Sequence, residues 1–317
     1  LGVTWVDCTI TGMGRGPGNS QTEYILIEMQ NIKKREINIM PLLQLIKKYF
    51  NPMQQKYKWG PNPYYYLAGK YGIHPTYIQE MLSTHFDESE LIAAINQLRH
   101  SGGKRYNVDL VRSEFQRPMP LQKGKWSPIL KIKSKDVLLV ASGPKAKDYR
   151  NEIENYIKLK KPFVIALNTN VCINKNLINI YAACNPLKLI ADVDLYKSLS
   201  LPLAVPDTLL SNDLRKKFKN LKILDFGAGL KENHFEFYKT GAVMPKLYTV
   251  VYALSIATSG NASRILLAGF DGYGFKDKRT KVVDELFHLY ASFKDAKAIT
   301  AITPTSYSVP SCSIYAL

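Results

Sequence analysis

The 317 residues carry 43 Lys plus Arg against 26 Asp plus Glu, a formal charge of +17, and 46% of them are hydrophobic. That apolar content suits about two packed domains at roughly 150 residues each and excludes a mainly disordered chain. No apolar run approaches the roughly 20 residues that a membrane-spanning helix needs. Residues 1–30 also lack the basic-then-apolar layout of a secretory signal.

The charge favours anionic partners: nucleic acid, phosphorylated metabolites, nucleotide sugars or an anionic membrane surface. Cys8, Cys172, Cys184 and Cys312 are far apart, with no paired spacing. A zinc knuckle and a disulfide framework are therefore not expected, and free thiols in a reducing cytoplasm are. The chain opens at Leu1 without an initiator Met and runs straight into a strand-like segment, so the back part of a longer protein is expected.

Taken in chain order, Val3–Thr11 reads as a strand, Gly12–Asn19 as a glycine-rich loop and Gln21–Gln30 as a helix. A basic tract, Lys33, Lys34 and Arg35, precedes a helix over Ile39–Phe50. Residues 51–66, with Pro52, Trp59, Gly60, Pro61, Pro63 and the run Tyr64–Tyr66, read as ordered loop. Short helices are expected over Leu67–Tyr71, Tyr77–Leu82 and Ser89–Arg99. Residues 113–134 hold Pro118, Pro120, Pro128 and Gly124 with no hydrophobic period, so a linker is placed there. It divides a first domain at 1–112 from a second at 135–317.

The second domain alternates apolar strands and helices. Strands are expected at Val137–Ala141, Phe163–Leu167, Ile178–Ala183, Leu203–Val205, Ile223–Phe226, Ile265–Ala268 and Ala298–Ile302. Helices are expected from Pro144 to Leu159, over Tyr248–Ser259 and over Thr280–Phe293. Continuous apolar strands separated by helices imply an α/β domain with a doubly wound, mainly parallel, Rossmann-like sheet.

Polar residues follow five of these strands, where a doubly wound sheet exposes its ligand crevice. They are Ser142 with Gly143, Asn168 with Asn170, Asn185, Asp271 with Tyr273, and Thr303–Tyr307. Small glycine and proline turns let backbone N–H groups meet a phosphate, and Asn side chains pair with base or ribose edges. Turns after strands also favour these residue types for their own sake.

Two resemblances add to this. Val6–Thr9 with Gly12–Glu23 resembles the last barrel strand and following loop of the HMG-CoA-lyase-like metal-dependent aldolases. Trp59–Gly69 with Gly72–Gln79 looks like the helical extension of their 4-hydroxy-2-oxovalerate aldolase-like branch. The resemblance implies the truncated end of a TIM barrel with a helical extension over residues 1–112. It also implies a divalent metal, Mg or Mn, acting on a 2-oxo acid, with Asn19 at a loop position that approaches the metal. The metal-binding Asp and paired His of that family belong to strands that this chain lacks, so aldolase activity is expected of the parent and not of this piece. Barrels of this class often assemble, which makes a homo-oligomer one expected state. His74, before Pro75, reads first as a structural turn residue and second as one facing the barrel mouth.

The strings Val140–Pro144, Ala166–Asn168, Ala183–Pro186, Val250–Ala257 and Ile265–Tyr273 resemble the bacterial CMP-sialic acid-dependent sialyltransferases and pterin pyrophosphokinase-like domains. That implies a CMP-type nucleotide held by Ser142, Gly143, Asn168, Asn185 and Thr305, with Asp271 and Tyr273 near the donor phosphate or sugar. Those transferases use a histidine base beyond this motif, and residues 293–307 contain none. His288 is the nearest candidate catalytic residue, although a solvated helix histidine is its plainer reading. The basic runs Arg215–Lys217 and Lys276–Lys281 read first as solvated faces that could also attract a phosphate or an anionic glycan. No nucleic-acid-binding module is present, so nucleic acid is not an expected partner.

Together these readings give the C-terminal portion of a cytoplasmic bifunctional enzyme of surface-glycan biosynthesis. One part is a pyruvate-type aldolase and the other a nucleotide-sugar glycosyltransferase-like domain. The alternative is an aldolase whose second domain is a regulatory or non-catalytic nucleotide-binding module.

Overall fold

The computed structural model describes residues 4–34, 36–57, 59–83, 91–92, 94–95, 98–99, 118–210, 212–273 and 278–317. The chain divides into two compact units, residues 1–86 with 98–106 and residues 87–97 with 107–317.

The first unit opens with two short parallel strands, β1 (Cys8–Thr9) and β2 (Ser20–Gln21), joined through the glycine-rich loop. Gly12 and Gly18 have φ of 64° and 81°. A Cβ on Gly12 would sit 2.6 Å from the Asn19 carbonyl oxygen, and one on Gly18 would sit 2.3 Å from the Gly12 carbonyl oxygen. Both positions therefore need glycine, for left-handed backbone and for close approach. Helix α1 (Thr22–Lys33) follows, and its buried Glu23 accepts a 3.0 Å bond from the Thr11 amide.

Helix α2 (Met40–Leu45) passes through a π-helical turn, Ile46–Phe50, into α3 (Asn51–Tyr57). Residues 51–57 were expected as loop because Pro52 is a helix breaker. The wider π turn directly before Pro52 accommodates the ring and the missing amide donor. Helix α4 (Pro63–Tyr71) likewise takes in the expected loop residues Tyr64–Tyr66. Asn62 caps it by accepting from the Tyr65 amide at 2.9 Å, Pro63 occupies the first turn, and Gly72 ends it in the left-handed region. Helix α5 (Pro75–Ser83) comes next. His74 Nδ1 accepts from the Thr76 amide at 3.4 Å, a turn role as expected. Of the helix expected over Ser89–Arg99, residues 84–90, 93, 96, 97 and 100 lie outside those described. Leu91, Ala94, Ile95 and Leu98 are buried at helical spacing.

The second unit is mixed α/β, and its centre is a seven-stranded, wholly parallel, Rossmann-like sheet. The strands are β3 (Val137–Val140), β4 (Phe163–Leu167), β5 (Ile180–Ala182), β6 (Leu203–Ala204), β7 (Ile223–Leu224), β11 (Ile265–Ala268) and β12 (Ile299–Ala301). Their order is β12-β11-β3-β4-β5-β6-β7. Every residue of β3, β4 and β11 is buried, as expected for strands covered on both faces. Arg264 and Asp136 brace the entry of β11 against that of β3 through two 2.9 Å contacts.

Between β7 and β11 the chain forms a second sheet that the sequence reading missed: β8 (Gly227–Leu230), β9 (Glu236–Tyr238) and β10 (Gly241–Met244), ordered β8-β10-β9. Within the expected linker, residues 118–126 are bonded along this sheet. Met119 and Leu230 exchange backbone bonds of 2.9 and 2.8 Å, and Trp126 donates to the Asp225 carbonyl at 2.8 Å. The glycines of β8 permit that approach, since a Cβ on Gly227 would sit 1.9 Å from the Gln122 carbonyl oxygen.

Helices α6 (Ile129–Ile132), α7 (Pro144–Asp148), α8 (Arg150–Lys160), α9 (Pro186–Ala191), α10 (Val193–Lys197), α11 (Asn212–Lys217), α12 (Thr249–Ser259) and α13 (Lys278–Ala291) complete the unit. Residues 250–258 of α12 are all buried, and the helix packs on β4, β5 and β10. Its apolar surface on every side is the mark of a core helix. No helix of the described residues is long and apolar enough to cross a membrane.

Candidate functional site

The chain leaves β3 outward through β4 to β7, then returns to the other side of β3 for β11 and β12. The strand order therefore reverses between β3 and β11. In open parallel sheets this switch point is where two connections part and leave a crevice.

The ladder continues past the strand ends there, with Ala141 donating to the Ala268 carbonyl at 2.9 Å and Gly143 to the Gly269 carbonyl at 3.0 Å. A Cβ on Gly143 would lie 2.4 Å from the Gly269 oxygen and 2.8 Å from both Cγ and Oδ1 of Asp271. Glycine at 143 is what lets the Asp271 carboxylate lie against this turn.

Asp271 Oδ2 accepts a 2.6 Å bond from the Lys145 amide in the first turn of α7. Its Oδ1 is buried and has no hydrogen-bond partner among the described residues. Burial pushes the carboxyl above its usual range. The Lys145 amide and charge oppose that rise, and Asp148 adds to it.

The β12 loop closes the other side. Thr303 Oγ1 accepts from the Gly269 amide at 2.9 Å, and Ser306 donates its amide to the Asp271 carbonyl at 3.1 Å. Thr305 Oγ1 donates to the Phe270 carbonyl at 2.5 Å and accepts from the Tyr307 amide at 3.1 Å. Its hydroxyl thus ties the β11 and β12 loops together. Tyr307 is buried below, and desolvation raises its phenol far above the usual value.

The structure brings Ser142, Gly143, Asp271 and Thr305 to one switch point, with Tyr273 at its rim. Register places Asn168 level with Ser142 on the neighbouring strand, since Val140 pairs with Ala166. Asn168 takes a left-handed φ of 57°, and its Oδ1 accepts from Thr249 Oγ1 at 3.2 Å. Asn185 is buried beyond β5, and its Oδ1 accepts from the Lys188 amide at 3.1 Å, the bond of a helix cap. His288 is on α13 and not at a strand end. Its exposed ring lies 3.7 Å from Asp284, which also accepts from the Ser308 amide and hydroxyl.

Asn19 lies in the first unit, exposed, with Nδ2 donating to the Met13 carbonyl at 3.1 Å. No group of three His, Cys, Asp or Glu that could hold a metal occurs among the described residues. Divalent Mg or Mn takes carboxylate ligands, and one neutral amide folded onto its own loop does not make such a site. The described residues therefore do not fit the implied metal.

Arg279 belongs to the basic run Lys276–Lys281, whose pairing with Tyr273 the sequence did not show. Its guanidinium lies 4.2 Å from the centroid of the Tyr273 ring. The signal lay in the basic run 276–281, of which residues 276 and 277 are outside those described. No protein-family model matches this chain, and no curated protein matches it.

Proposed function

We propose that the second unit binds a nucleotide or nucleotide sugar in the crevice beyond the carboxyl ends of β3 and β11. One observation carries the reading: Asp271 Oδ1 is a buried acceptor without a partner among the described residues, at the point where the strand order reverses. A buried acceptor ordinarily has a hydrogen-bond donor, and this one lacks it among the described residues. Ligand hydroxyls, such as the diol of a ribose or a hexose, are donors that carboxylates take at switch points. A carboxyl pushed up by burial in a cleft supports the same reading.

The resemblance makes a CMP-type nucleotide the first candidate, and sugar transfer to an acceptor hydroxyl the reaction. The charge of +17 suits a phosphorylated donor and an anionic glycan acceptor. On the same footing, the first unit is read as the end of an aldolase barrel, which would make the parent bifunctional. Exposed apolar side chains on α1 and α2, among them Tyr24, Ile27, Met40 and Leu43, support that part. A second reading, a binding module without transferase activity, is favoured by the place of His288, exposed on α13 and 3.7 Å from Asp284.

Calorimetric titration of the intact chain with CMP, CMP-sugars and ATP tests the proposal. Saturable CMP binding that Asp271→Asn weakens at least tenfold supports it. Absence of cytidine nucleotide binding, or binding that Asp271→Asn leaves unchanged, overturns it.

A further inference from the structure

The glycine-rich loop of the first unit carries hydrogen-bond donors without acceptors. Gly12, Gly16 and Gly18 set its bends at φ of 64°, 63° and 81°. Asn19 donates its amide to the Gly12 carbonyl at 2.9 Å, and Gly60 donates to the Gly16 carbonyl at 3.1 Å, which fixes the loop. Trp59 Nε1 adds a 3.2 Å bond to the Thr11 carbonyl. Between these anchors, the backbone amides of Gly14, Arg15 and Gly16 meet no acceptor among the described residues. Gly16 is itself buried, where an unpaired amide is costly.

Two side chains join these amides. Tyr65, from α4, is 8% exposed, and its ring lies against Gly16: a Cβ there would sit 3.4 Å from Cε1 and 3.7 Å from the hydroxyl oxygen. That hydroxyl has no hydrogen-bond partner among the described residues. Burial pushes the phenol up, and the Arg15 charge opposes the rise, so the guanidinium is near enough to act on it. Arg15 is exposed, and one Nη donates to Thr76 Oγ1. Its other N–H groups have no acceptor among the described residues.

Thr76 lies in the first turn of α5, the positive end of that helix, so the Arg15 cation is held against the dipole. Among the described residues, the carboxylate bonded beside this loop is Glu23, and it takes the Thr11 amide at 3.0 Å. An anion set against Arg15 would offset both the guanidinium and the helix end. Three amides, a guanidinium and a phenol on one loop and its packing partner are all donors. A carboxylate has two oxygens to give them, whereas a phosphate has three strong acceptor oxygens, and its geometry suits the guanidinium fork.

We propose that the Gly14–Gly16 amides, Arg15 and the Tyr65 hydroxyl form a binding site for the phosphate group of a small molecule. The site lies in the first unit and does not depend on the crevice of the second. The test reads Arg15 itself in the intact chain. Phenylglyoxal labels exposed arginines, and peptide mass spectrometry follows the rate at Arg15. Inorganic phosphate is titrated against acetate, with chloride at equal ionic strength as the measure of plain screening. Phosphate is expected to slow Arg15 labelling saturably, by roughly fivefold or more over chloride. Arg150 and Arg215, each paired within the second unit, are labelled as before. Tyr65→Phe keeps the ring and loses the hydroxyl, so about threefold more phosphate is needed for the same protection. Circular dichroism checks the fold of that variant. Phosphate no better than chloride overturns the site, as does an Arg15 that resists labelling without any anion. Acetate as protective as phosphate overturns the phosphate assignment in favour of a carboxylate. Equal protection in Tyr65→Phe and wild type overturns the part given to the phenol.

Discussion

Replacing Gly143 with alanine tests the packing on which the site depends. The backbone there has φ of −59° and ψ of 147°, open to any residue, so the substitution carries no conformational penalty of its own. The added Cβ would meet the Gly269 carbonyl oxygen at 2.4 Å and Asp271 Cγ at 2.8 Å. Ordinary carbon contacts begin near 3.5 Å, so the two turns must part by about 1 Å. That movement stretches the 3.0 Å bond from Gly143 to Gly269 and turns the Asp271 carboxylate away from the Lys145 amide. Overpacking of this kind costs about 1–3 kcal/mol and a weakened hydrogen bond about 1 kcal/mol, so a loss of about 3 kcal/mol is expected. For a unit of this size that lowers the melting temperature by roughly 6–12 °C. Thermal unfolding followed by circular dichroism reads the shift, and a CMP titration reads the displaced carboxylate as weaker binding. A melting temperature within about 1 °C of wild type, with ligand affinity unchanged, would refute the reasoning. The turns would then not be packed against Asp271.

Asp271→Asn has an opposite effect on the free protein. Burial raises the carboxyl above its unfolded value, so the native chain binds the proton more tightly and the ionised group opposes folding above its folded pKa. The variant is therefore expected to melt higher than wild type at pH 7 without ligand. The gain should vanish as pH falls below the ordinary carboxylate range, and a scan from pH 7 to pH 3.5 checks it. Tyr252→Phe removes a buried hydroxyl that donates to the Phe226 carbonyl at 2.6 Å. The unpaired carbonyl should cost about 1–3 kcal/mol, read as a lower urea midpoint at unchanged slope. Gly69→Ala lies inside α4 with nothing within 4 Å of the added Cβ. It should stabilise the first unit by about 0.5–1 kcal/mol, measured by proteolytic protection of that unit.

The central sheet was legible because parallel strands buried on both faces must be continuous apolar runs. Val137–Val140, Phe163–Leu167 and Ile265–Ala268 are such runs, and their ends came out within about one residue. The β8-β9-β10 sheet was not legible. Its first strand is Gly227–Leu230, where glycine is set by the approach of residues 121–124 and carries no strand preference. The helical character of 51–57 was hidden for a related reason: Pro52 signals a break, and only the π turn before it shows how the helix passes through.

The site divides along the same physical line. Five strand ends carried the residue types of a ligand crevice, and sequence cannot say whether such a group serves a ligand or the chain itself. Hydrogen bonding sorts them. Asn185 gives its carbonyl oxygen to the first turn of α9, Asn168 accepts from Thr249, and Thr303 and Thr305 tie the β11 and β12 loops together. Each of these oxygens is engaged within the chain. Asp271 spends one oxygen on α7 and keeps the other buried without a partner among the described residues. Asn168 and Asn185 were read as ligand contacts from the same pattern that picked out Asp271. The difference lies in partners brought in by α12 and α9, which no local motif encodes. Arg279 inverts the case. A basic run reads as solvated, whereas the structure sets the Arg279 guanidinium 4.2 Å from the Tyr273 ring centroid.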